Sequence, residues 1–365
     1  MSLTPFLAAS QHGPRPLPLF LELLRSETAQ SPDRRAAALA GLAAYQAARR
    51  PRPRKPMPVV ARAGRAVLRD YGGYGVPAVF VPSLINPPMI LDMRYRRSLL
   101  RWLSRNGVRP LLVDWGTPTP QDRAQDAAQH IEEMLIPLLR SIGEPVALVG
   151  YCLGGTFAAA AASVVPVRGL AMIAAPWRFS GFSPEALERI DSLWHGAHDS
   201  CDRLGLVPME VLQAGFWQLD PARTVAKYER FGRMDPTSPA ARSFVAMEDW
   251  ANAGAPLTYA AGRQIFDDFF ATDLPGSGRW RVAGAIADPT ALPCPTVEFV
   301  SLTDRIVPAA SAAGLADRRE LRLGHVGMMV GSSARTALWQ PLAAWLRGLG
   351  PSPNLGPSRN IAGGP

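Results

Sequence analysis

Short apolar runs alternate with helical patterns along most of the chain. Between residues 77 and 177 the apolar runs are PAVFVPS, VRPLLVDW, PVALVGY and VRGLAMIAAPW, with segments such as AQDAAQHIEEMLIPLLRSIG between them. After residue 288 the alternation resumes with PTVEFVS, a predicted helix near PAASAAGLADR, the run ELRLGH and a last helix, ARTALWQPLAAWLRGL. Strands and helices in alternation are typical of a mostly parallel sheet. The pattern therefore predicts an α/β fold with a mostly parallel central sheet and helices on both faces.

The pattern also divides the chain into regions. Residues 1–56 read as a helical arm with a basic, proline-rich hinge, in which Ser31 and Pro32 form a helix start. Residues 57–350 form the α/β domain, and about 178–288 form a helical cap inserted into it. Residues 351–365 are rich in glycine and proline, so we expect them to be disordered. The apolar stripe of the arm needs a partner, either the chain's own core or another chain.

Composition narrows the class of protein. The 365 residues are 47% hydrophobic and 19% charged, as in an ordinary globular protein. The three cysteines are widely spaced without a CxxC pair, which argues against a disulfide framework or a zinc site and favours a reducing compartment. The N-terminus lacks the features of a signal peptide, and the most apolar window contains Pro166 and Arg168, so we expect no membrane span. A cytoplasmic location is the expectation.

The net charge of +9 is concentrated in the segment ARRPRPRKPMPVVARAGR, residues 48–65. We interpret this segment as a solvated, proline-stiffened linker. Attraction of an anionic ligand or surface is the alternative. No aromatic residue lies among the basic ones and no nucleic-acid motif accompanies them, so we expect no nucleic-acid partner.

The candidate chemistry begins with GYCLGG, which places Cys152 between Gly150 and Gly154 after an apolar run. The pattern G-x-nucleophile-x-G is a sharp strand-to-helix turn in α/β-hydrolases, and it exposes the nucleophile above the sheet. The helix that follows directs its N-terminal amides toward the sulfur, which stabilises a thiolate. A small buried cysteine at a tight packing corner is the alternative interpretation of this motif.

An elbow nucleophile requires a carboxylate and then a histidine, each on a loop after a later strand. Asp304 follows the run PTVEFVS, and His325 follows ELRLG, so the order is that of the hydrolases. Asp288 is a poorer candidate because it precedes its strand. For the oxyanion hole we expect the backbone amide of Leu153 together with that of Leu84 or Ile85, from the loop after the early strand.

A cysteine in place of serine at the elbow affects which reaction the acyl intermediate undergoes. A thiolate attacks thioesters well, and the thioester intermediate stays reactive toward an alcohol. A serine ester is a lower-energy intermediate that is transferred less easily. The cysteine therefore favours acyl transfer over hydrolysis.

Several segments resemble the polyhydroxyalkanoate synthase family over about residues 60–350. They are the early segment FVPSLINPPMILDMRYRRSLLRWLSRNGVRPLLVDWGTP, the box GYCLGGT, the cap segment MEDWANAGAPLTYAAGRQIFDDFFATDLP, and the loops TDRIVP and GHVG. The resemblance implies an α/β-hydrolase core with a cap. It also implies polymerisation of (R)-3-hydroxyacyl units from coenzyme A thioesters, with Cys152 carrying the chain, His325 acting as base and Asp304 assisting. Arg305 stands where the family usually has histidine.

The resemblance sets further expectations. The substrate would be a 3-hydroxyacyl-CoA and the product a growing polyester chain, with no cofactor because coenzyme A leaves as a product. The chain length is similar to that of the short synthases, which work with a separate small subunit, so the expected partner is such an accessory subunit or a second copy in a homodimer. The location would be cytoplasmic, with polyester granules as a surface. A thioesterase or polyester hydrolase, and a non-catalytic granule-associated protein, are the alternatives.

Overall fold

A sheet of eight strands forms the centre of the molecule, in the order β1-β2-β4-β3-β5-β6-β7-β8. The computed structural model describes residues 13–50, 54–94, 97–218 and 220–350. Within this sheet, strands β3 to β8 pair in parallel, whereas β1 and β2 run antiparallel to their neighbours. The strands are β1 (Val59–Ala63), β2 (Ala66–Asp70), β3 (Val76–Val81), β4 (Val108–Asp114), β5 (Ala147–Tyr151), β6 (Gly169–Ile173), β7 (Thr296–Ser301) and β8 (Arg318–Leu321).

Helices cover both faces of the sheet, which confirms the predicted fold class. Along β3, Val79 and Val81 point into one apolar cluster while Ala78 and Phe80 point into the other. This alternation follows from the two-residue period of a strand, and it explains why the buried strands are apolar on both faces. The topology is that of an α/β-hydrolase.

The helices differ in length and include π-helical segments. Their bounds are α1 (Leu17–Glu27), α2 (Pro32–Ala47), α3 (Leu99–Leu103), α4 (127–140, with a π-helical segment His130–Leu135), α5 (Leu153–Ala162), α6 (Pro184–Leu204), α7 (Met209–Gln218), α8 (Pro221–Phe231), α9 (Pro239–Ala251), α10 (259–270, π-helical over Gln264–Phe270), α11 (Gly327–Val330) and α12 (335–348, π-helical over Arg335–Trp339). Among the described residues, every helix is too short or too polar to cross a membrane.

Two local predictions were wrong. The basic segment 48–65 is not linker throughout, because Val59–Ala63 is an edge strand that turns at Gly64 into β2. The helix predicted near PAASAAGLADR is only a single turn, Ala309–Ser311. There the amides of Gly314 and Leu315 donate to the buried carboxylate of Glu298, so they are not available to a helix.

The arm helices α1 and α2 pack against the cap. They share an apolar cluster with α8 and α9, whose buried members are Phe20, Leu24, Ala38, Leu42, Tyr45, Trp217, Val225, Tyr228, Phe231, Ala241 and Val245. Arg34 forms an ion pair with Glu229 at 2.8 Å, and the Tyr45 hydroxyl donates to Asp249 at 2.6 Å. The apolar stripe of the arm therefore finds its partner within the same chain. Residues 51–53 of the hinge and the tail 351–365 lie outside the described residues.

Candidate active site

The carboxyl ends of the parallel strands meet at one edge of the sheet. Val81 at the end of β3 pairs with Gly150 of β5, and Tyr151 pairs with Ile173 of β6. Because the register aligns these ends, the loops that follow the strands lie side by side. Residues 82–87, Cys152, Asp304 and His325 all belong to such loops.

Cys152 lies at the turn between β5 and α5 with φ 56° and ψ −136°, a backbone conformation that residues with a side chain rarely adopt. The turn is crowded by backbone on both sides. A Cβ at Gly154 would approach the Val81 carbonyl oxygen to 2.1 Å, and one at Gly150 would approach the Cα of Gly155 to 2.3 Å. The glycines of GYCLGG therefore allow a turn that presses the nucleophile loop against the end of β3.

Asp304 and His325 form a buried pair. The Nδ1 atom of His325 lies 2.6 Å from Oδ2 of Asp304, and both side chains are almost completely inaccessible to solvent. The other oxygen of Asp304 accepts from the amides of Ile306 at 2.8 Å and Val307 at 3.1 Å. The carboxylate is thus held by its own loop and fixes the orientation of the imidazole.

Cys152 lies close enough to the imidazole of His325 to affect its pKa. Burial by itself would lower the pKa of His325. The charges of Cys152 and Asp304, and the hydrogen bonds to both, outweigh burial and raise the pKa to about 10. A histidine that stays protonated at neutral pH opposite a cysteine is suited to stabilising a thiolate.

The loop after β3 supplies backbone donors beside the elbow. The amide of Ile85 donates to the Ser83 hydroxyl at 3.1 Å, whereas the amides of Leu84 and Leu153 have no acceptor in the described parts of the chain. An unpaired amide next to a nucleophile is what an oxyanion hole requires. Of the two residues predicted for this loop, Ile85 uses its amide within the loop, whereas the Leu84 amide has no acceptor among the described residues.

The cap contacts the same loop. The indole nitrogen of Trp250, at the end of α9, donates to the Pro87 carbonyl oxygen at 2.9 Å. A Cβ at Gly254 would approach the Ile85 carbonyl oxygen to 2.6 Å, so the chain after α9 runs directly against the loop. Arg305, next to Asp304, forms an ion pair with Asp220 at the start of α8.

Sequence reasoning missed Tyr151, the residue before the nucleophile. Its hydroxyl donates to the His325 carbonyl oxygen at 3.2 Å, and its ring centroid lies 5.0 Å from that of the imidazole. The signal in the sequence was an aromatic residue at the last position of a buried strand, beside the elbow. Only the fold shows that this residue meets a loop 174 positions later.

The other candidates lie elsewhere. His130 is buried in α4 between Arg65 and the Asp126 carbonyl oxygen, and burial lowers its pKa to about 4. His195 and His198 belong to cap helix α6. Asp288 accepts from the amide and hydroxyl of Thr290 within its own turn.

The fold and this edge of the sheet define the class of protein, an α/β-hydrolase-fold protein with cysteine at the nucleophile elbow. Its curated relatives are poly(3-hydroxyalkanoate) polymerase subunits PhaC. The subunit from Haloferax mediterranei is 28% identical over 289 residues, 74% of this chain and 58% of the relative. The subunit from Allochromatium vinosum is 27% identical over 290 residues, 74% of this chain and 80% of the relative. The chain is thus similar to poly(3-hydroxyalkanoate) polymerase subunits over 74% of its length.

The chain covers only part of the length of these relatives. The chain spans 58% of the Haloferax relative and 60% of a similar subunit from Haloarcula marismortui. No family model matches the sequence. Solved structures similar in backbone include an α/β-hydrolase fold protein from Nakamurella multipartita (TM-score 0.48, 18% identity, 81% of this chain and 100% of the other) and a thermophilic esterase from Thermogutta terrifontis (TM-score 0.44, 18% identity, 82% and 99%).

Proposed function

We propose that the chain is an acyltransferase that polymerises (R)-3-hydroxyacyl units from coenzyme A thioesters through an acyl intermediate on Cys152. The observation that carries the proposal is the buried Asp304–His325 pair, whose imidazole has a pKa that the neighbouring Cys152 raises. The relatives named as poly(3-hydroxyalkanoate) polymerase subunits support the choice of substrate.

The first step forms the acyl-enzyme. The Cys152 thiolate, paired with protonated His325, attacks the thioester carbonyl, and the bond from that carbon to the coenzyme A sulfur breaks. The proton on His325 passes to the departing sulfur, so coenzyme A leaves as a thiol. The amides of Leu153 and Leu84 donate to the oxyanion that forms on the carbonyl oxygen.

The second step transfers the acyl group. His325, now neutral, takes the proton of the 3-hydroxyl group of a second substrate as that oxygen attacks the acyl carbon on Cys152. The bond to the Cys152 sulfur breaks, and the thiolate re-forms opposite a protonated His325. The product is a coenzyme A thioester one unit longer, which can acylate Cys152 again. Asp304 orients the imidazole and stabilises its charged form without taking the proton.

The acceptor of the acyl group separates this function from hydrolysis. Purified protein is incubated with (R)-3-hydroxybutyryl-CoA, free thiol is titrated, and product length is measured by mass spectrometry. We expect coenzyme A release together with esters of two or more units. Release of coenzyme A with 3-hydroxybutyric acid as the sole product would establish a thioesterase instead. Absence of coenzyme A release would favour a non-catalytic protein.

We also infer a partner in solution, either a small accessory subunit or a second copy of the chain, and association with polyester granules. Support for the accessory subunit comes from the relatives, which are named as polymerase subunits. Light scattering after size-exclusion chromatography of the purified chain tests the homodimer. Cell fractionation after polymer accumulation tests the granule location.

A further inference from the structure

Tyr151 contacts the proposed base at two points. Its ring lies 5.0 Å from the imidazole of His325, centroid to centroid, at an interplanar angle of 30°. Its hydroxyl donates to the His325 backbone carbonyl oxygen at 3.2 Å. One side chain therefore restrains both the ring of the histidine and the backbone that carries it.

Tyr151 directly precedes Cys152, so this contact links the base to the strand that carries the nucleophile. Tyr151 is the last residue of β5, and it pairs with Ile173 in the middle of the sheet. The next residue is Cys152. A rigid strand that carries the nucleophile thus also carries the side chain that holds the base, although the two loops are 174 residues apart.

The loop that carries His325 depends on such restraints because it has little regular structure. The Ser301 hydroxyl donates to the Leu323 carbonyl oxygen, and the Met328 amide donates to Gly324 at 3.1 Å. Neither bond involves His325 itself. Asp304 holds one ring nitrogen, and the adjacent ring of Tyr151 restricts rotation of the imidazole about that contact.

The environment of Tyr151 keeps its hydroxyl a donor. The side chain is 3% exposed, and burial, followed by the charges of Cys152 and Asp304, raises the pKa of the phenol well above its ordinary value. An un-ionised hydroxyl can donate to a carbonyl oxygen at any pH at which the protein is active.

We propose that Tyr151 is a positioning residue that aligns the His325 imidazole with the Cys152 sulfur. The inference rests on the proposed function for its catalytic consequence, but the alignment itself can be measured without substrate. The loss of one hydrogen bond is worth about threefold to tenfold in an equilibrium or rate, so the effect should be moderate.

The test is Tyr151→Phe, which retains the ring and removes the hydroxyl. Alkylation of Cys152 by iodoacetamide is followed against pH, with the modified peptide quantified by mass spectrometry so that Cys201 and Cys294 do not contribute. We expect the alkylation profile to move toward higher pH, because a misaligned imidazolium stabilises the thiolate less. We also expect coenzyme A release to slow by about threefold to tenfold with little change in KM.

Tyr71→Phe is the matched control. Tyr71 is also buried, and its hydroxyl also donates to an acceptor, Asp92, at 3.2 Å, rather than to any of Cys152, Asp304 and His325. This variant should match the wild type in both measurements, which separates alignment from a general loss of a buried hydroxyl.

The outcomes distinguish the two proposals. An unchanged alkylation profile in Tyr151→Phe would overturn the positioning role, even if the wild type releases coenzyme A. A shifted profile with no coenzyme A release by any variant, the wild type included, would support the positioning role and overturn the proposed function.

Discussion

Cys152 is held in a backbone conformation of the kind that costs about 1–3 kcal/mol and persists only where the surrounding structure enforces it. The contacts of the elbow enforce this conformation. Backbone from β3 and from α5 leaves no space for a side chain at Gly150 or Gly154. At the scale of single residues, the candidate site combines a strained cysteine, a histidine whose pKa is raised to about 10, and a carboxylate that accepts from the amides of Ile306 and Val307.

Replacement of Cys152 by alanine should abolish coenzyme A release from 3-hydroxybutyryl-CoA and leave the melting temperature nearly unchanged. The reason is that the sulfur forms the acyl intermediate, whereas loss of one partly exposed atom costs little packing. Cys294→Ala, at another half-buried cysteine, is the control and should retain activity. Turnover by folded Cys152→Ala near the wild-type rate would refute the role of the elbow.

His325 should titrate near pH 10 when its ring is followed by NMR, and the Cys152→Ala variant should lower that pKa. The sign follows from the causes: burial lowers the pKa of His325, and the Cys152 charge is the largest contribution that raises it. His130, whose pKa burial lowers to about 4, contacts Arg65 and Asp126 and should not change. A His325 that titrates near 6.5 in both proteins would contradict the thiolate–imidazolium pair.

His325→Gln should block acylation of Cys152, whereas Asp304→Asn should be more permissive. Asparagine retains an oxygen for the amides of Ile306 and Val307, so the loop should keep its shape. Acylation can then survive while transfer to the incoming hydroxyl slows, because the imidazole is less well oriented. Rapid-quench measurement of acyl-enzyme and of product separates the two steps. Equal loss of acylation in both variants would argue against an orienting role for Asp304.

At the scale of elements, the site depends on how tightly α5 and β3 approach each other. α5 begins directly at the nucleophile, and its first turn lies against the carbonyl groups of Val81 and Pro82. This approach brings the loop 82–87 beside the elbow. The proposed oxyanion role of the Leu84 amide depends on this approach.

Gly154→Ala should destabilise the protein by about 2 kcal/mol or more, because the new methyl group would lie 2.1 Å from the Val81 carbonyl oxygen. Activity of the remaining folded protein should also fall as the loop is displaced. Gly196→Ala is the matched control, since that glycine lies in helix α6 with open space around it. It should stabilise the helix by about 0.5–1 kcal/mol. Chemical denaturation checks both, and a neutral Gly154→Ala would show that the contact can relax.

At the scale of the whole molecule, the arm, the cap and the loop 82–87 are connected. Tyr45 and Arg50 of the arm region both donate to Asp249 on α9. The next residue, Trp250, donates to Pro87. The arm therefore holds α9 in place, and α9 in turn contacts the loop 82–87.

Deletion of residues 1–50 should lower the melting temperature and promote aggregation, because it exposes the apolar faces of α8 and α9 that the arm covers. A buried side chain of this size contributes about 1.5–3 kcal/mol. Leu42→Ala tests the same packing without truncation, and its control is Leu39→Ala on the same helix. Leu42 is 5% exposed and Leu39 is 43% exposed. A soluble deletion variant with unchanged melting would show that the cap does not need the arm.

The sequence predicted the elements that depend on local pattern. The buried strands and the alternation of helices follow from apolar periodicity, and the Ser31 cap is present, with its side chain accepting from the Arg34 amide. The edge strand β1 was missed because proline and arginine dominate its surroundings and its exposed residues include Val60. A helix was predicted near PAASAAGLADR, but only the turn Ala309–Ser311 forms, because the buried carboxylate of Glu298 takes the amides that follow it.

The sequence by itself determined the α/β alternation, the glycine-flanked cysteine and the order of Cys152, Asp304 and His325, because each is written in residues close together or in the order of the chain. The tertiary structure decided which backbone amide is free, which aromatic ring lies against His325 and what covers the cap. These depend on contacts between distant positions, such as Tyr151 with His325 and Tyr45 with Asp249, 174 and 204 residues apart. Such contacts leave no local signal, because they are set by the register of the sheet and by the packing of helices on it.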